Sequence, residues 1–190
     1  NSTGANGHVG TIAIGSNALT ALTSGAENVA VGYESGKTLT TTSYNTFLGH
    51  KAGRDCTGSN NTAMGREAMY DAAGVSDNVV IGYTAGNSGS FAADKSVIIG
   101  SIAGQGDMTD DADGTVAVGY SALTDLTSGA RNTTVGHESG TNITTSPENV
   151  LIGALAGDAI TDQAGGIIAV GTGSLGALTS GVKNTAIGHV

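Results

Sequence analysis

Residues 28–65 read NVAVGYESGKTLTTTSYNTFLGHKAGRDCTGSNNTAMG, in which one unit is stated three times: NVAVG, NTFLG and NTAMG, closed by Gly32, Gly49 and Gly65. Upstream the unit returns as TIAIG at Gly15. Downstream it returns as NVVIG, SVIIG, TVAVG, NTTVG, NVLIG, IIAVG and NTAIG, at Gly82, Gly100, Gly119, Gly136, Gly153, Gly171 and Gly188. The ten spacings between these glycines are 17, 17, 16, 17, 18, 19, 17, 17, 18 and 17 residues. A fixed period of this size is the signature of a stacked repeat. The chain therefore reads as one array over 1–190, an all-β parallel solenoid or β-roll of about eleven 17-residue rungs.

The columns of the repeat carry physical content. The residue before the glycine is always Ile, Val, Leu or Met (Ile14, Leu48, Met64, Ile99, Ile152 among them), and the residue two earlier is always β-branched. Alternate strand residues share a face, so these two large columns are expected to line one face, turned inward. Three residues after the glycine stands only Ala or Ser, which implies a tight internal corner. Asparagine opens seven of the eleven strands (Asn28, Asn45, Asn61, Asn78, Asn132, Asn149, Asn184). Two readings stand open for it: amides hydrogen-bonded rung to rung in a ladder, or a turn preference before the strand.

A longer period lies above the first. Leu or Met follows the glycine by four residues in every third rung (Leu19, Met69, Leu123, Leu175), whereas the intervening rungs place glycine there. The superperiod of 50, 54 and 52 residues marks a duplicated three-rung cassette. One rung per turn is the preferred geometry. One superperiod per turn is the alternative, disfavoured because small apolar residues would have to fill a wide interior. A coil this thin buries little by itself, so association into a parallel homotrimer is expected.

Composition limits the functional classes. The net charge of −9, with no Lys/Arg cluster among a charged fraction of only 12%, opposes binding to nucleic acid. No apolar run approaches the ~20 residues of a membrane span. The sole cysteine, Cys56, excludes an intrachain disulfide framework.

The motifs NTFLGHKAG (45–53), SNNTAMGREAM (59–69) and NVVIGYTAG (78–86) resemble the NTAIGYQA-type repeats of phage tail-fibre proteins, especially those upstream of endosialidase-type intramolecular chaperone domains. They are also similar to the NSVAIG repeats of YadA-like heads in trimeric autotransporter adhesins. The resemblance covers nearly the whole chain. It implies parallel β-rolls, trimerisation and attachment to a host cell-surface glycan or protein, in a virion tail or, alternatively, on a bacterial surface. The longer period and the TSG turns favour the fibre. Partial repeats at both ends suggest a longer native polypeptide.

Nothing in the repeat asks for a cofactor, and no set of catalytic residues assembles, so a non-enzymatic role is expected. Threonine in the strands raises ice binding as a minor alternative, although Val or Ile interrupts that column in seven of eleven rungs. The loop Gly106–Gly114, GDMTDDADG, offers Asp107, Asp110, Asp111 and Asp113 as a candidate Ca²⁺ site. It also coincides with the widest rung spacing, where an inserted solvated loop is the plainer reading. Tyr33, Tyr83, His137 and His189 occupy one repeat column and are candidates for a chain-to-chain contact.

Overall fold

The computed structural model describes residues 9–87, 89–161 and 165–189. It contains eleven three-residue strands: β1 (Ile12–Ile14), β2 (Val29–Val31), β3 (Thr46–Leu48), β4 (Thr62–Met64), β5 (Val79–Ile81), β6 (Val97–Ile99), β7 (Val116–Val118), β8 (Thr133–Val135), β9 (Val150–Ile152), β10 (Ile168–Val170) and β11 (Thr185–Ile187). They form one sheet in sequence order, and each strand pairs in parallel with the next. Each rung is thus one turn of the solenoid, which excludes the 52-residue turn. Rungs below are numbered by their strands.

Register survives every change of spacing. Ile81 lies beside Ile99 and Ile99 beside Val118, although these steps span 18 and 19 residues. The additional residues are absorbed at the corners. In rung 6 they form a single 3₁₀ turn at Asp110–Ala112 that exposes Asp110 and Asp111 and buries Ala112. Backbone bonds between rungs also run outside the strands. Between rungs 2 and 3, for example, Lys51 N–H donates to Tyr33 O at 2.8 Å, Gly36 N–H to Ala52 O at 3.1 Å and Thr38 N–H to Arg54 O at 3.0 Å.

The strand faces are the reverse of the expectation. The central residue of each strand points inward: Ala30, Phe47, Ala63, Val80, Ile98, Ala117, Thr134, Leu151 and Ala169 are all fully buried. The two columns of larger aliphatics flank it and point outward, with Leu48 42% and Ile152 40% exposed. A period of two marks that the faces differ without saying which is inside. Size misled, because the coil interior is narrow and takes alanine most readily. A second inward column closes the core from the opposite wall, through Leu39, Cys56, Ala72, Phe91, Met108, Leu126, Ile143 and Ile160.

The narrow interior explains the three-rung superperiod. In rungs 1, 4, 7 and 10 the central strand residue is Ala, and Leu19, Met69, Leu123 or Leu175 fills the space beside it. In rung 3 the central residue is Phe47 and Gly53 replaces the leucine. A Cβ at Gly53 would lie 2.7 Å from the Phe47 ring, and one at Gly157 would lie 3.0 Å from Leu151. Large residues thus alternate between two positions, and where a rung has neither, as with Ala30 and Gly36 in rung 2, the adjoining rungs reach in: a Cβ at Gly36 would lie 2.8 Å from Leu19 and 3.0 Å from Phe47.

The glycine ending each strand answers a different need. It adopts φ between +127° and +150°, and a Cβ at Gly32 would lie 2.1 Å from Gly49 O. Only glycine permits backbones to stack so closely. The Ala/Ser corner is buried from Ser35 to Ser174, and its serines donate to the next rung, as Ser35 Oγ does to Phe47 O at 3.2 Å. Of the two readings for asparagine, the ladder is realised within the runs Asn28–Asn78 and Asn132–Asn149.

Candidate functional site

With the core and corners committed to stacking, the outward surfaces are what can meet a partner. One is the outer strand face. One of its two columns is Ile, Val, Leu or Met in all eleven rungs, and the other is Val or Ile in seven and Thr in four (Thr46, Thr62, Thr133, Thr185). The strip runs roughly 50 Å along the axis, from ten steps of ~4.8 Å. Exposed apolar surface of that extent marks an interaction face in soluble proteins.

The column immediately after the strand glycine lies beside this strip. It holds Tyr33, Tyr83, His137 and His189, as expected, and also His50, Arg66 and Tyr120, which the sequence reading passed over. Their shared offset of one residue from the glycine was the available signal. The rings stack along the solenoid axis: Tyr33 on His50 at 5.3 Å and 22°, Tyr120 on His137 at 5.2 Å and 19°. The Arg66 guanidinium sits over the Tyr83 ring, 5.5 Å from its centroid. The contacts that these rings make inside the chain therefore run between rungs. His8 lies outside the described residues.

A charged cluster occupies the corner of rungs 2–4. Glu34 accepts from Lys37 Nζ at 2.8 Å and from Arg54 Nε at 3.0 Å, and Arg54 also pairs with Asp55. Lys51 and Arg54 both lie over the Tyr70 ring, at 5.7 and 5.2 Å. The Lys37 ammonium, helped by Arg54, holds the Glu34 carboxyl down to about 2. Burial, and then Asp55 nearby, push the Asp71 carboxyl up. Four of the seven Lys and Arg side chains fall between residues 37 and 66, yet Glu34, Asp55 and Glu67 pair with three of them. The cluster thus ties rungs together and does not form a basic patch. Burial pushes the Cys56 thiol up to about 11, so it behaves as a small core residue.

The four aspartates of the candidate Ca²⁺ loop are not brought together. Asp107, Asp110 and Asp111 point to solvent, whereas Asp113 Oδ1 accepts the Asp94 backbone N–H at 2.7 Å. Asp94 Oδ1 in turn accepts Ser76 N–H at 2.7 Å, continuing a side-chain ladder through Ser76, Ser59 and Ser43. Asp113 is thus the end of a structural series. Among the described residues, no three His, Cys, Asp or Glu side chains converge as a metal site, and no helix is long and apolar enough to cross a membrane.

These features define a single-chain parallel β-solenoid whose outward faces are an apolar strip, a ring column and ion-paired corners. No family model, no curated protein and no solved structure matches the chain.

Proposed function

We propose that this chain is a non-enzymatic shaft and attachment region of a phage tail fibre, assembled as a parallel homotrimer. The observation that carries the reading is the apolar outer strand face, which continues through all eleven rungs. Three copies turned about one axis would bring three such strips together and remove them from water. Their equal rung spacing lets side chains of neighbouring copies alternate along the full length. The ring columns and charged corners would remain outside, as a repetitive surface for a cell-surface glycan or protein. The apolar strip suits the chain-to-chain contact better than the ring column, because it is continuous through all rungs whereas each stacked pair in the column has one face engaged within the chain.

Light scattering on the purified chain tests the assembly. The expected mass is three times 18.5 kDa. Ile99→Asp combined with Ile152→Asp places carboxylates on the strip and should reduce the mass to one chain without loss of β-structure by circular dichroism. A wild-type monomer at micromolar concentration would overturn the proposal.

A further inference from the structure

The ring column is interrupted once between two tyrosines. Tyr83, Ser101 and Tyr120 stand on successive rungs 5, 6 and 7, and the in-register pairing of β5, β6 and β7 places them one above another. One face of Tyr83 carries the Arg66 guanidinium from rung 4. One face of Tyr120 carries the His137 ring from rung 8. The remaining faces of both rings look toward rung 6, where serine takes the place of a ring. The rings are 49% and 48% exposed, so the space between them opens to solvent.

We infer that this space is a binding slot for one pyranose ring of a neutral hexose. Two rung steps separate the tyrosines by about 10 Å. An aromatic ring in face contact with both would need only about 7–8 Å, at 3.5–4.0 Å between carbons on each side, and so sits loosely here, as the chain's own rings do at 5.2–5.3 Å between centroids. A puckered sugar ring with axial C–H groups is thicker and fits the wider gap. Those C–H groups carry partial positive charge and meet the electron-rich ring faces. Ser101 supplies a hydroxyl at the base of the slot.

The walls are held in place before any ligand arrives. Ile102 N–H donates to Tyr83 O at 2.9 Å and Ser121 N–H to Ser101 O at 3.1 Å. Beneath them Gly82, Gly100 and Gly119 stack so closely that a Cβ at Gly82 or Gly100 would lie 2.2 or 2.1 Å from the next carbonyl oxygen. Such a floor neither collapses nor widens. The adjacent Arg66 is paired with Glu67 at 3.3 Å and the chain carries a charge of −9, which disfavours acidic sugars. Elsewhere in the column the stacked rings have a single bounded side: Ser16 precedes Tyr33, and Ala154 follows His137.

The inference gives the attachment half of the proposed function a ligand class and rests on that reading. Methyl α-glucoside, methyl α-galactoside and methyl α-mannoside are titrated into the 190-residue chain and followed by saturation-transfer NMR. At least one should receive saturation at its ring C–H protons. Ser101→Tyr continues the column, as tyrosine does at Tyr33, and should weaken that binding at least tenfold with circular dichroism unchanged. Tyr33→Ala should leave it unaltered. Silence from all three sugars, or binding that persists in Ser101→Tyr, overturns the slot. Binding of 4-methylphenol alone overturns the sugar assignment. The mass by light scattering should be the same in Ser101→Tyr, so failure of the slot and failure of the trimer are read separately.

Discussion

Asn28 Oδ1 accepts two bonds from Asn45, one from its backbone N–H at 3.0 Å and one from its side-chain amide at 3.1 Å. Asn61 repeats this on Asn45, Asn78 on Asn61 and Asn149 on Asn132. The amide nitrogen also reaches the corner of the following rung, as Asn61 Nδ2 does to Val75 O at 2.8 Å. Each asparagine thus joins strand to strand and strand to corner, fully buried.

Asn61→Ala should therefore be costly. It strands the Asn78 backbone N–H and Val75 O without partners, and each orphaned buried group costs about 1–3 kcal/mol. We expect a loss of roughly 3 kcal/mol in urea unfolding. The exposed Thr40→Ala serves as reference and should change stability by less than about 0.5 kcal/mol.

The two strand faces should respond oppositely. Phe47→Ala opens a cavity at a fully buried position and should cost about 3–5 kcal/mol. Ile152→Asp places a carboxylate on an outward position that is 40% exposed. It should leave the melting temperature of a separated chain nearly unchanged. Equal losses would mean that the outer face is packed within the chain.

The volume rule behind the superperiod can be tested by converting one rung type into another. Gly53→Leu forces a side chain into the Phe47 ring and should cost about 3 kcal/mol from overpacking and a left-handed backbone. Combined with Phe47→Ala it reproduces the Ala63 and Met69 pattern of the next rung. The double variant should lose at least about 1.5 kcal/mol less than the sum of the two single losses. Additive losses would detach the superperiod from packing.

Acid stability should depend on Glu34. Its folded value of about 2 lies below the ordinary 4.5, so it contributes stability above about pH 4.5 that is lost as pH falls toward 2. Glu34→Gln should flatten this part of the profile in chemical denaturation between pH 2 and 6. Asp71 has the opposite sign. Its raised value means that ionisation opposes folding, so Asp71→Asn should be relatively more stable at neutral pH than at low pH.

Repeat length and strand positions were legible because every rung restates them, whereas one turn per rung was only preferred, on the size of the interior, until the pairing of each strand with the next settled it. The sidedness of the strands was not. Ile99 and Ile152 look like core by size, and only the width of the coil reveals that Ala30 and Ala117 fill it. The ladder through Ser43, Ser59, Ser76, Asp94 and Asp113 was hidden because Ser and Asp share a role as acceptors without resembling each other in sequence. That change of residue type made Asp113 look like a ligand. Tyr120, His50 and Arg66 escaped notice for a related reason: the column mixes phenol, imidazole and guanidinium, and their common stacking geometry shows only in space.

The rung-to-rung bonds, from Gly32 N–H to Ile14 O at 2.7 Å through Gly188 N–H to Val170 O at 2.9 Å, point from each coil to its neighbour around the whole circuit. A push along the axis is shared by all ladders at once and closes contacts that are already tight, above all the stacked glycines. A pull on a chain terminus instead falls first on the few bonds that hold the end coil, which peels away before the next coil is unwound. The rod thus resists compression as a whole, whereas a pull on one chain end unwinds it coil by coil.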